Sequence, residues 1–264
     1  MKIGFIGLGN MGSAILGGIL KQGNVKPEDI IVTDKAQMAV KKAVEMMKVK
    51  AASGNTEVAE QADILFLAIK PQIYETVIKE ISASVKKDAV IISIAPGKTI
   101  EWIEGLFGGA KKIVRCMPNT PALVGAGCTG VCANRLVTEQ EMMQVMMLLN
   151  SFGKAHMVPE NLMDTVVGVS GSSPAYVFMF IEAMADAAVA DGMPRPQAYE
   201  FAAQAVYGSA KMVLDSKMHP GALKDMVCSP GGTTIEAVRV LEEKGFRSAV
   251  IEAQKACVEK SKNM

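Results

Sequence analysis

The chain has 264 residues, half of them hydrophobic, and a formal net charge of +1 from 28 basic and 27 acidic side chains. That length can bury a sizeable core in one large domain or two smaller ones, and scattered, balanced charge leaves no electrostatic footprint for nucleic acid or a membrane surface. Gly, Lys and Asp interrupt each apolar run before the roughly 18 to 20 residues that span a bilayer, and a first strand beginning at residue 2 leaves no room for a secretory leader; a cytoplasmic protein acting on a small molecule is expected.

Met1 to Ile6 reads as a buried strand. Gly7-Leu8-Gly9-Asn10-Met11-Gly12 follows it with G-x-G-x-x-G spacing and runs into a helical pattern from Ser13. Strand, glycine turn and helix in that order suit a dinucleotide: Gly7 can turn sharply, Gly9 leaves a pyrophosphate unobstructed, and Gly12 lets helix and strand pack closely. A second strand, Asp29 to Thr33, ends at Asp34, 22 positions beyond Gly12. A carboxylate there can bind the adenosine ribose of NAD and repel the 2′-phosphate of NADP, whereas Lys35 would attract that phosphate. Asp34 can equally serve as the N-cap of a helix from Lys35.

Strand and helix keep alternating: a short strand over 48–52, a helix over Asn55 to Gln61, an apolar strand over Asp63 to Ile69 that stops at Lys70-Pro71, a helix over 72–85, a strand over Ala89 to Ile94, and a helix from about Thr99. Repeated βα units specify a mostly parallel doubly wound sheet whose ligand lies beyond the carboxyl ends of the strands. Gly7 to Gly12, Ala68-Ile69-Lys70-Pro71 and Ala95-Pro96-Gly97 should therefore meet at one crevice. Lys111 to Met117 is a further strand leading into Pro118-Asn119-Thr120-Pro121, and Gly127 to Ala133 and Ala155 to Val158 close the sheet around a helix over 139–150. Met142, Met143, Met146 and Met147 on that helix read as core filling. His156 reads as a packed or edge residue. The five cysteines lack paired C-x-x-C spacing, which argues against a metal site and for buried free thiols.

Past Pro159 the pattern is helical, placing a domain boundary near residue 160, between 1–160 and 161–264. Ser170-Gly171-Ser172-Ser173-Pro174 is expected to break one helix and start another. The new helix, Ala175 to Ala190, is apolar almost all round, which calls for burial across a subunit interface. After helices over 196–215 and 222–227 comes Ser229-Pro230-Gly231-Gly232-Thr233-Thr234, then an amphipathic stretch from Ile235 and a last helix over 246–260. Glycines and hydroxyls at a helix N-terminus can surround a small anion such as a carboxylate, or simply cap the helix.

These residues resemble the pyrroline-5-carboxylate reductase family over essentially the whole chain. The marks are Phe5 to Gly12, Lys70-Pro71, Met117 to Pro121, Ser170 to Tyr176 and, most specifically, Ser229 to Thr234. The resemblance implies a Rossmann-type doubly wound sheet followed by an all-helical dimerisation domain, and NAD(P)H-dependent reduction of 1-pyrroline-5-carboxylate to L-proline, the last step of proline biosynthesis. It also implies a homodimer, with five dimers assembling into a decamer. Ile6 to Gly12 would hold the pyrophosphate of NADP or NAD in reduced form, Asp34, Lys35 and Asn55 would lie by the adenosine ribose, and Ala68 to Pro71 with Ala95 to Gly97 would line the nicotinamide side. Ser229, Gly231, Gly232, Thr233 and Thr234 would bind the substrate carboxylate, with the Thr234 hydroxyl reaching the imine nitrogen as the catalytic contact, in a cleft completed by a second subunit. Many members carry glycine at the place of Ser173, and NADPH-preferring members often show serine or asparagine with a basic residue where this chain has Thr33-Asp34-Lys35.

A cyclic imine is basic enough to take its proton from water, so a site of amides and hydroxyls suffices once the reactants are held in place. Hydroxyacid dehydrogenases typically use a lysine on a central helix, and no lysine lies between Lys154 and Lys211, which counts against that alternative. Another imine reductase, or a non-catalytic NAD(P)-sensing module, would share the glycine turn.

Overall fold

Short, almost wholly apolar runs suit strands covered on both faces. The computed structural model, which describes residues 1–263, forms eight strands among them: β1 (Ile3–Ile6), β2 (Ile30–Thr33), β3 (Lys50–Ala51), β4 (Ile64–Leu67), β5 (Val90–Ser93), β6 (Lys112–Met117), β7 (Gly127–Ala133) and β8 (Gly153–Met157). They make one sheet in the order β3-β2-β1-β4-β5-β6-β7-β8, parallel throughout except for the antiparallel β6–β7 pair. The order reverses between β1 and β4, the switch point at which such sheets receive nucleotides. Ile6 pairs with Thr33 and Leu67, and Leu67 with Ser93, so these four strands end level.

Helices α1 (Asn10–Gln22), α2 (Gln37–Met47), α3 (Asn55–Gln61), α4 (Tyr74–Ile81), α5 (Ile100–Phe107) and α6 (Glu139–Leu149) cover the two faces. Side chains alternate along each strand. Ile3, Phe5, Ile30, Val32 and Phe66 join Ile15 and Leu16 of α1 and Val145 and Leu148 of α6 in one core, with the Phe5 and Phe66 rings stacked 4.6 Å apart. Ile6, Leu65, Leu67 and Ile91 join Val58, Ile78 and Ile103 in the other. Each such Ile or Leu contributes about 1.5–3 kcal/mol by leaving water. The methionine helix is two-sided: Met142 and Met146 pack on the core, but Met143 and Met147 face solvent, which corrects the reading of all four as core. The thiols are likewise divided, with Cys116 and Cys132 buried and Cys128, Cys228 and Cys257 half-buried.

The second half comprises α7 (Met163–Val166), a π-helical turn at Val167–Gly171, α8 (Ser173–Ala190), α9 (Arg195–Ser216), α10 (Pro220–Val227), α11 (Thr233–Glu243) and α12 (Phe246–Lys262). Ser170 to Pro174 separates the π-helical turn from α8, which begins at Ser173 as expected, with Ser172 between them still in right-handed helical φ/ψ. The chain winds through it by widening to an i→i+5 turn, with the Ser172 amide donating to Val167 O at 2.8 Å. Pro174 has no N–H for the carbonyl of Ser170, four residues back, and Asn119 replaces that donor with its side-chain amide at 2.9 Å. The same side chain accepts from the Cys128 amide at 2.8 Å. Two segments that stood out separately in the sequence are thus one hydrogen-bonded assembly.

By length and mean hydropathy (1.3) the helical stretch Glu160–Ala190 could cross a membrane, a candidate that a search for uninterrupted apolar runs passes over. In the single chain only Ala185 of α8 is buried, and Val177, Phe178, Met179 and Phe180 are exposed. Packing does not divide at residue 160. One compact unit holds residues 1–172 together with 257–263, and the other holds 173–256. Residues 161–172 are tied to the sheet unit through Asn119, and the end of α12 joins it as the Ser261 hydroxyl donates to Asp164 at 2.6 Å and the Cys257 thiol to Ser172 Oγ at 3.2 Å.

Candidate active site

The glycine turn closes tightly on its neighbours. Gly7 has φ +103°, its amide donates to Thr33 O at 2.9 Å, and a methyl group there would lie 2.4 Å from the Ala68 carbonyl oxygen. A methyl group at Gly12 would lie 2.4 Å from Gly7 O. Gly9 differs: it is the N-cap of α1, makes no side-chain cap bond, and a methyl group on it would meet nothing within 4 Å. Space and the free amides of the first helical turn therefore coincide above Gly9, where the helix dipole favours an anion. Ile6 and Leu8 are buried beneath this opening and Asn10 is exposed beside it.

Asp34 does not cap α2, whose N-cap is Ala36 without a side-chain bond. Its carboxylate instead accepts from the Leu8 amide at 2.6 Å and the Ala36 amide at 2.7 Å, bracing the glycine turn from the end of β2. Lys35 is exposed, and Asn55, the first residue of α3, donates to Glu80 at 2.8 Å.

The turns after β4 and β5 lie at the same end of the sheet. Ala68 donates its amide to Ile6 O at 2.8 Å, which sets Ala68 to Pro71 against the glycine turn, with Lys70 exposed. Ala95 to Gly97 turns through Gly97 at φ +71° into the Thr99 cap of α5. Two polar groups that sequence reasoning missed hold this end. Tyr74 and Ser93 bridge the ends of β4 and β5. Arg115, 5% exposed, meets Glu160 at 3.1 Å, and the same carboxylate oxygen accepts from the Ile100 amide at 2.8 Å at the start of α5. An arginine flanked by the apolar Ile113, Val114 and Cys116 in the middle of β6 was the available signal. Burial raises the neighbouring thiols, Cys132 to about 11 and Cys116 further.

In the helical unit Ser229 to Thr234 forms a single turn. The Gly232 amide donates to Ser229 O at 3.0 Å and Gly231 has φ +67°. Gly232 is the N-cap of α11 and no side chain accepts from the first-turn amides. Ser229, Gly231 and Thr233 are exposed and Thr234 is half-buried. The histidines lie elsewhere in function: His219 Nδ1 accepts from the Gly221 amide at 3.1 Å as the N-cap of α10, and His156 is exposed on the edge strand β8.

Two family models match: "NADP oxidoreductase coenzyme F420-dependent" over residues 2–97 and "Pyrroline-5-carboxylate reductase dimerisation" over residues 160–264. The chain is 58% identical over 263 residues to a pyrroline-5-carboxylate reductase of Escherichia coli, covering 100% of this chain and 98% of that one. A Methanosarcina acetivorans enzyme of the same name is 41% identical, at 100% and 97% coverage. Among solved structures, a Plasmodium falciparum pyrroline carboxylate reductase with NADP bound superposes with a TM-score of 0.91 at 36% identity, covering 100% of this chain and 97% of that chain.

Proposed function

The chain belongs to the pyrroline-5-carboxylate reductase family, and from that premise we propose which of its residues carry the reaction. The enzyme reduces 1-pyrroline-5-carboxylate to L-proline with NAD(P)H. Bound NAD(P)H supplies the hydride. The open space over Gly9, the uncapped start of α1 and the level ends of β1, β4 and β5 fit a dinucleotide. Gly7 to Gly12 receives the pyrophosphate, Asp34, Lys35 and Asn55 border the adenosine ribose, and Ala68 to Pro71 with Ala95 to Gly97 line the nicotinamide side.

In the helical unit, Ser229 and Gly231 to Thr234 hold the substrate carboxylate, and the Thr234 hydroxyl orients the imine nitrogen. The observation carrying this assignment is the glycine cap of α11. A serine or threonine cap would consume first-turn N–H groups; Gly232 leaves them for a ligand anion. No carboxylic acid or histidine is required, because the imine takes its proton from water and the protein's task is to hold geometry. Turnover of Thr234→Ala tests the assignment. Loss of kcat, or a raised KM for the imine, is expected; both constants within about twofold of wild type would remove Thr234 from the mechanism.

The exposed apolar residues of α8, within the dimerisation segment, support a homodimer in which this helix is covered by the partner. Light scattering separates that dimer from an assembly of five dimers.

A further inference from the structure

Tyr74 is fully buried at the start of a helix whose other inward residues are aliphatic. Phenylalanine would fill the same space without a polar atom to satisfy, so the hydroxyl needs a reason. It donates to Leu67 O at 2.6 Å and accepts from the Ser93 hydroxyl at 3.1 Å. Ser93 Oγ in turn accepts from the Ala95 amide at 3.4 Å, and the amides of Ile94 and Ala95 also face the phenol oxygen. Leu67 and Ser93 are register partners and the last residues of β4 and β5. Beyond them the strands lead into separate turns, and the phenol bridges the opening where another rung of the ladder would stand.

We propose that Tyr74 and Ser93 are positioning residues for hydride transfer: the chain Ala95 N–H, Ser93 O–H, Tyr74 O–H, Leu67 C=O locks Ala68–Pro71 and Ala95–Gly97 at one spacing and so fixes the surface on which the nicotinamide rests. This rests on the assignment of those two turns to the nicotinamide side. Burial, above all, drives the phenol well above the ordinary tyrosine range, so it remains a hydrogen-bond donor throughout the working pH and transfers no proton itself. Each link polarises the next in a dry environment, which stiffens the chain as a unit. Hydride transfer is sensitive to such stiffness, since a small misplacement of reacting atoms costs rate without costing affinity.

The test uses the full-length enzyme with Tyr74→Phe, which keeps the ring and its 6.5 Å contact with Trp102, and Ser93→Ala. Each variant should lower kcat about tenfold, leave the KM for NADPH within about twofold, and raise the isotope effect seen with C4-deuterated coenzyme, because the hydride step becomes slower than product release. In the coenzyme-free protein, peptides spanning 93–98 should exchange amide hydrogen faster while those spanning 7–12 do not change. The double variant should be no slower than the worse single one, as expected for groups acting as a unit. Wild-type kcat and isotope effect in Tyr74→Phe overturn the proposal, and so does unchanged exchange at 93–98. Parallel loss of kcat, coenzyme affinity and thermal stability in both variants also overturns it, assigning the pair to general packing. Pro96→Phe separates the underlying assignment: a bulky side chain on that turn should weaken NADPH while sparing a fragment that lacks the nicotinamide ring. Equal effects on both ligands would refute the nicotinamide-side reading, whatever Tyr74→Phe does.

Discussion

Gly9→Ala should separate binding from folding, because the three glycines of the first turn meet different surroundings. Gly9 sits at φ −62°, ψ −173°, a conformation alanine adopts without strain, and a methyl group there meets nothing within 4 Å. Alanine is a poorer N-cap than glycine by a few tenths to about 1 kcal/mol, and the reduced freedom of the unfolded chain returns about 0.4–1 kcal/mol. The net change in stability should lie within about 1 kcal/mol of zero. Binding is another matter, since the methyl group would stand where the pyrophosphate approaches the first-turn amides. Each hydrogen bond to a charged group contributes about 1.5–3 kcal/mol, so losing one raises the dissociation constant of NADPH roughly 10- to 100-fold. In Gly12→Ala the methyl group would lie 2.4 Å from Gly7 O and 3.1 Å from the Ala68 methyl group, so the backbone must shift at a cost of about 1–3 kcal/mol. Urea unfolding and fluorescence titration with NADPH give both quantities on the same samples. Coenzyme affinity within about twofold of wild type in Gly9→Ala, or a loss of stability equal to that of Gly12→Ala, would refute the reasoning.

If Asp34 repels a 2′-phosphate, Asp34→Ser should shift the NADPH-to-NADH ratio of kcat/KM at least about tenfold towards NADPH, since opposed like charges cost several kcal/mol; an unchanged ratio would leave Asp34 as a brace for Leu8 and Ala36 alone. In the Arg115–Glu160 pair the arginine is the buried partner, at 5% side-chain exposure against 35%. Glu160→Gln, which strands that cation, should therefore cost about 3 kcal/mol in urea unfolding, and Arg115→Met less, because the remaining carboxylate can reach water; the reverse ranking would contradict the burial argument. Burial raises the pKa of Cys116 and takes that of Cys132 to about 11, so both stay neutral thiols below that range. Alkylation of the native protein at about pH 8 should spare them, because the thiolate is the reactive form; peptide mapping that finds Cys132 modified as fast as the half-buried Cys128, Cys228 and Cys257 would count against this.

The parallel half of the sheet could be read from sequence because its strands need only local information: four apolar residues between a helix and a turn. The ends of Ile3–Ile6, Ile64–Leu67 and Val90–Ser93 then placed the three turns at one edge. What sequence concealed depends on distant partners. Pro174 sits in the first turn of α8, as the local rule predicts, but nothing local shows that Asn119, 51 residues before Ser170, donates to the Ser170 carbonyl. Tyr74 gave no sign of its role because its partners, Leu67 and Ser93, belong to two different strands. Asp34 had two readings of similar merit, and only the positions of Leu8 and Ala36 show that its carboxylate braces the glycine turn. The solvent-facing Met143 and Met147 went unnoticed because helical spacing alone does not tell which side of a four-methionine cluster faces the core.

The path of α12 bears on how the molecule is made. Vectorial synthesis delivers residues 1–172 to solution first, yet the segment that completes their packing, residues 257–263, emerges only after the whole of 173–256 has been translated. Until then Asp164 lacks the Ser261 hydroxyl and Ser172 lacks the Cys257 thiol. The sheet can form on the ribosome as its βα units appear, but its last tertiary contacts must wait until residues 173–256 have been made.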